Sequence, residues 1–111
     1  MNHKDLWAKH IKLHIYTANS LKDLSRHNIN FQIWRDRTIE TLQKAFGVNS
    51  DMVERFRKIK FNIPQKLHPD DNNNSDYAKK AYITGIEEAI RLLEECLEQL
   101  DGSKKNYSIH F

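Results

Sequence analysis

An all-α fold, a compact bundle of about four helices, two long and two shorter, follows from three features of the sequence. Apolar residues recur every three or four positions along most of the chain, the period of a helix with one buried face. Glycine and proline are scarce, three and two in 111 residues, and four of these five mark segment ends or connections. Period-two alternation, the mark of a strand, is confined to the final Tyr107-Ser108-Ile109-His110-Phe111.

The first segment is expected from His3 to Arg26. At 100° per residue Leu6, Trp7, Ile11, Ala18, Leu21 and Leu24 share one arc, with Lys9, Lys12, Asn19, Asp23 and Arg26 opposite. The run Arg26-His27-Asn28-Ile29-Asn30 breaks this pattern, and Asn30 suits the N-cap of the next helix. That helix, Phe31 to Phe46, gathers Phe31, Trp34, Thr38, Leu42, Ala45 and Phe46 on one face. Gly47 follows, where a positive-φ residue commonly ends a helix. Ser50 then caps a short third helix, whose first turn carries Asp51 and Glu54, the sign that a helix N-terminus favours. Its apolar positions are Met52, Val53, Phe56 and Ile59. Trp34, Leu42, Phe46 and Phe56 are the expected heart of the core.

Residues 61–75 contain both prolines and the run Asp70-Asp71-Asn72-Asn73-Asn74-Ser75, and read as a loop, mobile over about 62–75. The last helix has the strongest pattern. Ile83, Ile86, Ile90, Leu93, Leu97 and Leu100 are spaced three and four apart, and Tyr82, Ala89 and Cys96 widen the stripe. Asp101-Gly102 ends it. Gly85, inside this helix, costs about 1 kcal/mol against alanine, which points to a close approach by another helix. Residues 1–102 thus form one domain, with 103–111 a tail.

Composition narrows the function. A single cysteine forbids an intramolecular disulfide and suits a reducing compartment. The N-terminus lacks a leader pattern, and no window approaches the ~20 apolar residues of a membrane span. A cytoplasmic protein without membrane contact is expected. Residues 1–60 carry twelve Lys/Arg against six Asp/Glu, whereas residues 81–111 carry three against six. The two ends either complement each other inside the fold or leave a basic surface for an anion.

Several residues have candidate chemistry. His10 and His14 stand at the i, i+4 spacing that can grip a transition metal, but no Glu or Cys completes a ligand set, and a hydrogen-bonded, half-buried His14 is the simpler reading. The Asp70–Ser75 run lacks the glycine and terminal glutamate of a calcium loop. Cys96 lies on an apolar face and reads as core packing. No nucleophile context is present, so no catalytic residue, cofactor or metal is expected. Arg35 is unusual, sitting beside Phe31, Thr38 and Leu42. It snorkels along apolar surface, pairs with a carboxylate, or meets an anionic ligand. Arg55, Arg57, Lys58 and Lys60, interleaved with Phe56 and Phe61, have the composition of a phosphate-contacting patch and equally of a solvated face.

The stretch Phe31, Trp34, Thr38, Leu42, Phe46-Gly47, Ser50, Phe56, Ile59 and Phe61, followed by a polar loop and a long amphipathic helix, resembles the helical N-terminal module of bacterial defence-type proteins. In those proteins the module precedes a TIR-like nucleotide-binding domain. The resemblance spans residues 25–101. It implies a sensor, adaptor or assembly module without the enzyme, and it brings no catalytic residue.

Two functions are therefore expected to compete. One is a non-enzymatic interaction module that binds a protein partner or itself. The other is an anion-binding module for nucleotide signals or nucleic acid through Arg35, Arg55, Arg57, Lys58 and Lys60. An exposed apolar stripe would favour the first, and a concave basic pocket the second. Self-association is expected through the last helix, because His10, His14 and Arg35 interrupt the faces available to cover its wide stripe.

Overall fold

The structure, a computed structural model, describes residues 3–61 and 75–101. It is an all-α bundle of four helices, α1 (His3–Ser20), α2 (Ile29–Phe46), α3 (Asp51–Arg57) and α4 (Ser75–Asp101), with a 3-10 turn at Leu21–Asp23. No strand occurs among the described residues. No helix among them is long and apolar enough to cross a membrane. The expected loop between α3 and α4, the Asp70 run and the 103–111 tail lie outside the described residues.

Two boundaries differ from the sequence pattern, each for a local reason. α1 stops at Ser20 rather than Arg26. The Ser20 hydroxyl donates to Thr17 O (2.7 Å) and the Asn19 amide to Ile15 O (3.2 Å), in competition with the helical ladder. The chain tightens into the 3-10 turn, with Leu24 N–H donating to Leu21 O at 2.9 Å. α2 starts two residues early, because Asn28 rather than Asn30 is its cap and accepts from Asn30 N–H at 2.8 Å. Ile29 is helical yet exposed, so the apolar pattern could not reveal it.

The other two local signals hold. The Ser50 hydroxyl accepts from Val53 N–H at 3.3 Å, capping α3. Gly47 has φ +110° and ψ 147°, a more extended backbone than the left-handed helix and one restricted essentially to glycine.

α1 packs along both α4 and α2. It contributes Ile11, Ile15 and Ala18 to the core, and α4 answers with Ile86, Leu93 and Leu97. Aromatic rings from α2, α3 and α4 fill the rest. Phe31 lies 4.9 Å from Phe61, 5.3 Å from Tyr82 and 5.8 Å from Trp34, and Trp34 lies 5.8 Å from Phe56, between centroids. Burying side chains of this size contributes about 1.5–3 kcal/mol each. Trp34, Leu42 and Phe56 are core as expected, whereas Phe46 is only partly buried at its edge, and Leu6 is 45 % exposed.

The wide stripe of α4 is covered within one chain. Ile86, Leu92, Leu93, Cys96, Leu97 and Leu100 are all buried, and Ile83 and Ile90 stand half-buried at its margin. The open surface on which self-association through α4 was expected is therefore missing. The polar interruptions on α1 and α2 do not face α4: His14 meets Thr41 of α2 instead, leaving the apolar arc of α1 for α4.

Gly85 is where the connection after α3 meets α4. A Cβ there would lie 2.6 Å from both Lys60 O and Phe61 Cδ1. The close approach expected of this glycine is real, and the neighbour is an extended segment rather than a helix.

Candidate functional site

The basic run is laid out by the end of α3. Lys58 N–H donates to Glu54 O (3.1 Å) and Arg55 O (3.3 Å), and Ile59 N–H to Phe56 O (3.1 Å), which closes the helix. The chain then extends to Phe61, buried against Gly85 on one side and the Phe31 ring on the other. This brings residues 57–61 alongside the first two turns of α2.

Between the two segments lies an open cleft of about 660 Å³. Arg26 and Arg35 line it from the α2 side, and Arg57, Lys58 and Lys60 from the connection. Phe31, Ile59 and Phe61 supply its apolar part, and Gln32 is its only neutral hydrogen-bonding side chain among the described residues. Among the described residues no Asp or Glu lines it. Among the described residues, none of the five cations has a carboxylate within ion-pair distance. Arg35 is half-buried and the other four are exposed. Of the three readings open for Arg35, a carboxylate partner finds no support among the described residues.

Arg35, Arg57, Lys58 and Lys60 are thus brought together, and Arg55 stands apart. Its guanidinium reaches across to α4 and donates both arms to Glu95, at 3.0 and 2.9 Å, with Asp51 at 3.9 Å. That hydrogen-bonded pairing raises the Arg55 pKa and holds the Glu95 carboxyl below its usual range. Arg55 borders a second, smaller cleft, together with Glu88, Arg91 and Glu95. The sequence pattern missed Arg26 and Gln32. Arg26 had been placed on the solvent face of α1, and only the early end of that helix turns it toward α2.

The histidines and the cysteine do not form a site. His14 Nε2 and Thr41 Oγ1 are hydrogen-bonded at 2.9 Å, with donor and acceptor set by the tautomer. Burial, followed by the charges of His10 and Arg37, pushes the His14 pKa down to about 4. His10 is exposed and meets the Trp7 ring edge-on at 5.6 Å. Among the described residues no three His, Cys, Asp or Glu side chains are placed to hold a metal. Burial pushes the Cys96 thiol up to about 12, so it is neither thiolate nor nucleophile near neutral pH.

A third concavity, about 410 Å³, runs between α1 and α2, with Leu13, Ile33, His14 and Arg37 among its walls. Leu13 is 59 % and Ile33 44 % exposed, and Ile29 stands exposed one turn before Ile33.

No family model, curated protein or solved structure matches this chain.

Proposed function

We propose that the chain is a non-enzymatic binding module that holds a phosphate-bearing anion in the cleft between α2 and the α3–α4 connection. One observation carries this reading: five cations from two chain segments converge on one concavity, with no acid beside them among the described residues. Like charges gathered without counter-charge work against folding, and an anion relieves them. Guanidinium groups suit phosphate in particular, through paired N–H donors. With no carboxylate among the described lining residues to take a divalent cation, the cationic side chains themselves neutralise the ligand. The resemblance to defence-type modules fits the same role. A cytoplasmic sensor for a nucleotide signal or nucleic acid, in a prokaryotic defence system or mobile element, is the setting we attach to it.

Calorimetric titration with inorganic triphosphate, ATP and a short oligonucleotide at low salt tests the reading. At least one should bind, with affinity falling steeply as salt rises. Replacing Arg35 and Arg57 together with Gln should weaken it at least tenfold. No binding by any of the three would leave the cleft an ordinary solvated face.

A protein-binding adaptor is the second reading, and the exposed Leu13, Ile29 and Ile33 on the α1–α2 side favour it. Self-association belongs to this reading, now through α1 and α2 rather than α4. A concentration-dependent mass in light scattering that Leu13→Glu and Ile33→Glu abolish would support it, and a constant monomer mass would remove the self-pairing form.

A further inference from the structure

We infer that the anion is a nucleic-acid strand, gripped through its backbone with no reading of base sequence, a conclusion that rests on the cleft being an anion site. Three features favour a strand over a compact nucleotide or a free polyphosphate, and a fourth leaves its bases unread.

The first is the backbone around the cations. Compact di- and triphosphates are held in cradles of backbone N–H groups, usually at a glycine-rich turn or a helix N-terminus. Here the cations Arg57, Lys58 and Lys60 follow a helix C-terminus. The N–H groups of Lys58 and Ile59 are already spent on the carbonyls of Glu54, Arg55 and Phe56. The cationic groups are offered mainly as side-chain tips, four of the five exposed. Such tips suit phosphates that pass along them, and they fit poorly around one fixed group.

The second is shape. A site for a small ligand buries about 70–90% of it, whereas this cleft is open to solvent. A strand can enter and leave such a trough. The third is charge: five cations exceed what one backbone phosphate neutralises, so several successive phosphates are needed. The fourth is the floor. Phe31 and Phe61 touch each other and join the two segments, which sets an apolar base under the cations. Both rings are nearly buried, at 4 % and 6 % exposed. They offer no face for the stacking that many single-strand binders use. With Gln32 the only neutral hydrogen-bonding side chain among the described lining residues, base identity goes unread.

Fluorescence anisotropy with labelled oligonucleotides, at several salt concentrations, tests this on the full chain. Oligothymidylate of about a dozen nucleotides and a mixed-sequence strand of equal length should bind within about threefold of each other. Affinity should rise with strand length until the cleft is filled. The salt slope of log K, about −0.7 per phosphate for single strands, should approach about −3.5 if all five cations engage. Inorganic triphosphate and ATP, as unlabelled competitors, should be at least tenfold weaker. Replacing Arg57, Lys58 and Lys60 together with Gln should flatten the slope by about 2. Arg37→Gln, on the α1–α2 side, should leave it unchanged, with circular dichroism confirming the helices in both variants. Triphosphate competing as well as the strand would overturn the strand while keeping the anion site. An unchanged slope in the triple variant would overturn the cleft as the strand's site. Binding of neither strand nor triphosphate would overturn both readings.

Discussion

Among the described residues every buried side-chain polar atom between α1, α2 and α4 has a partner, whereas beside α3 five cations stand without an ion-pair partner. In the interior the Trp34 indole N–H donates to His14 O at 3.0 Å, the Thr38 hydroxyl to Trp34 O at 2.7 Å, and the Tyr82 hydroxyl to Leu21 O at 2.6 Å. A titratable group there, His14, is pushed towards its neutral form by burial and by the charges of His10 and Arg37, and it is hydrogen-bonded to Thr41. An unmet polar group inside costs about 1–3 kcal/mol, so the fold has closed that account. At the cleft, water screens the charges and the cost is small enough to keep. The difference separates what the fold needs from what is left over for a ligand.

The largest effect should come from the interior. Trp34→Ala removes a buried ring and an indole donor, and should cost about 3–5 kcal/mol. Phe46→Ala, at the partly buried edge, should cost less than half as much. Urea unfolding of both checks the contrast, and equal losses would mean that the core boundary is misplaced.

Gly85→Ala ties the two regions together. Overpacking against Lys60 and Phe61 costs about 1–3 kcal/mol, partly offset by about 1 kcal/mol of helix propensity. A net loss is expected, together with weaker anion binding at temperatures where the variant is fully folded. Unchanged binding in a folded variant would show that the cleft does not depend on the seat of Phe61.

His14 should make the interior pH-sensitive. Its folded pKa, about 4, lies below its ordinary 6.5. The unfolded chain therefore binds more protons between these values, and stability falls as pH drops from about 6.5 towards 4. Discounted for its partial exposure, the loss is on the order of 1 kcal/mol. His14→Gln, which retains a hydrogen-bonding group for Thr41, should flatten that part of the stability profile; an identical slope in the variant would assign it elsewhere.

The smallest effects should have opposite signs. Arg55→Gln breaks the link to Glu95 and should cost up to about 1 kcal/mol. Lys58→Gln relieves repulsion in the cleft and should stabilise by a few tenths of a kcal/mol at low salt, fading as salt is added. Thermal melts at two ionic strengths read both. A loss of stability in Lys58→Gln would mean that this cation has a partner in the folded protein.

The helices were largely legible because their signals are local. The four periodic segments, the Ser50 cap and the positive φ of Gly47 each depend on residues within one or two turns. The errors lay where side chains compete with the local pattern. Asn19 and Ser20 ended α1 early, and Asn28 displaced Asn30 as the cap of α2. Four of the five candidate anion ligands share the cleft, yet their grouping was not legible, because Arg35 and Arg57 meet only through the packing of Phe31 on Phe61.

By itself, then, the sequence determined the all-α class, the number of helices and the buried stripe of α4, since each expresses a period of 3.6 residues and a preference for removing apolar surface from water. Only the tertiary structure decided how the basic run is divided. Arg55 and Arg57 are two residues apart, about 200° around a helix, and so point to opposite sides. One finds Glu95, forty residues along the chain, while the other finds Arg35 and, among the described residues, no acid. Which side holds a carboxylate depends on where α4 and α2 pack, and that is a long-range outcome no local pattern encodes.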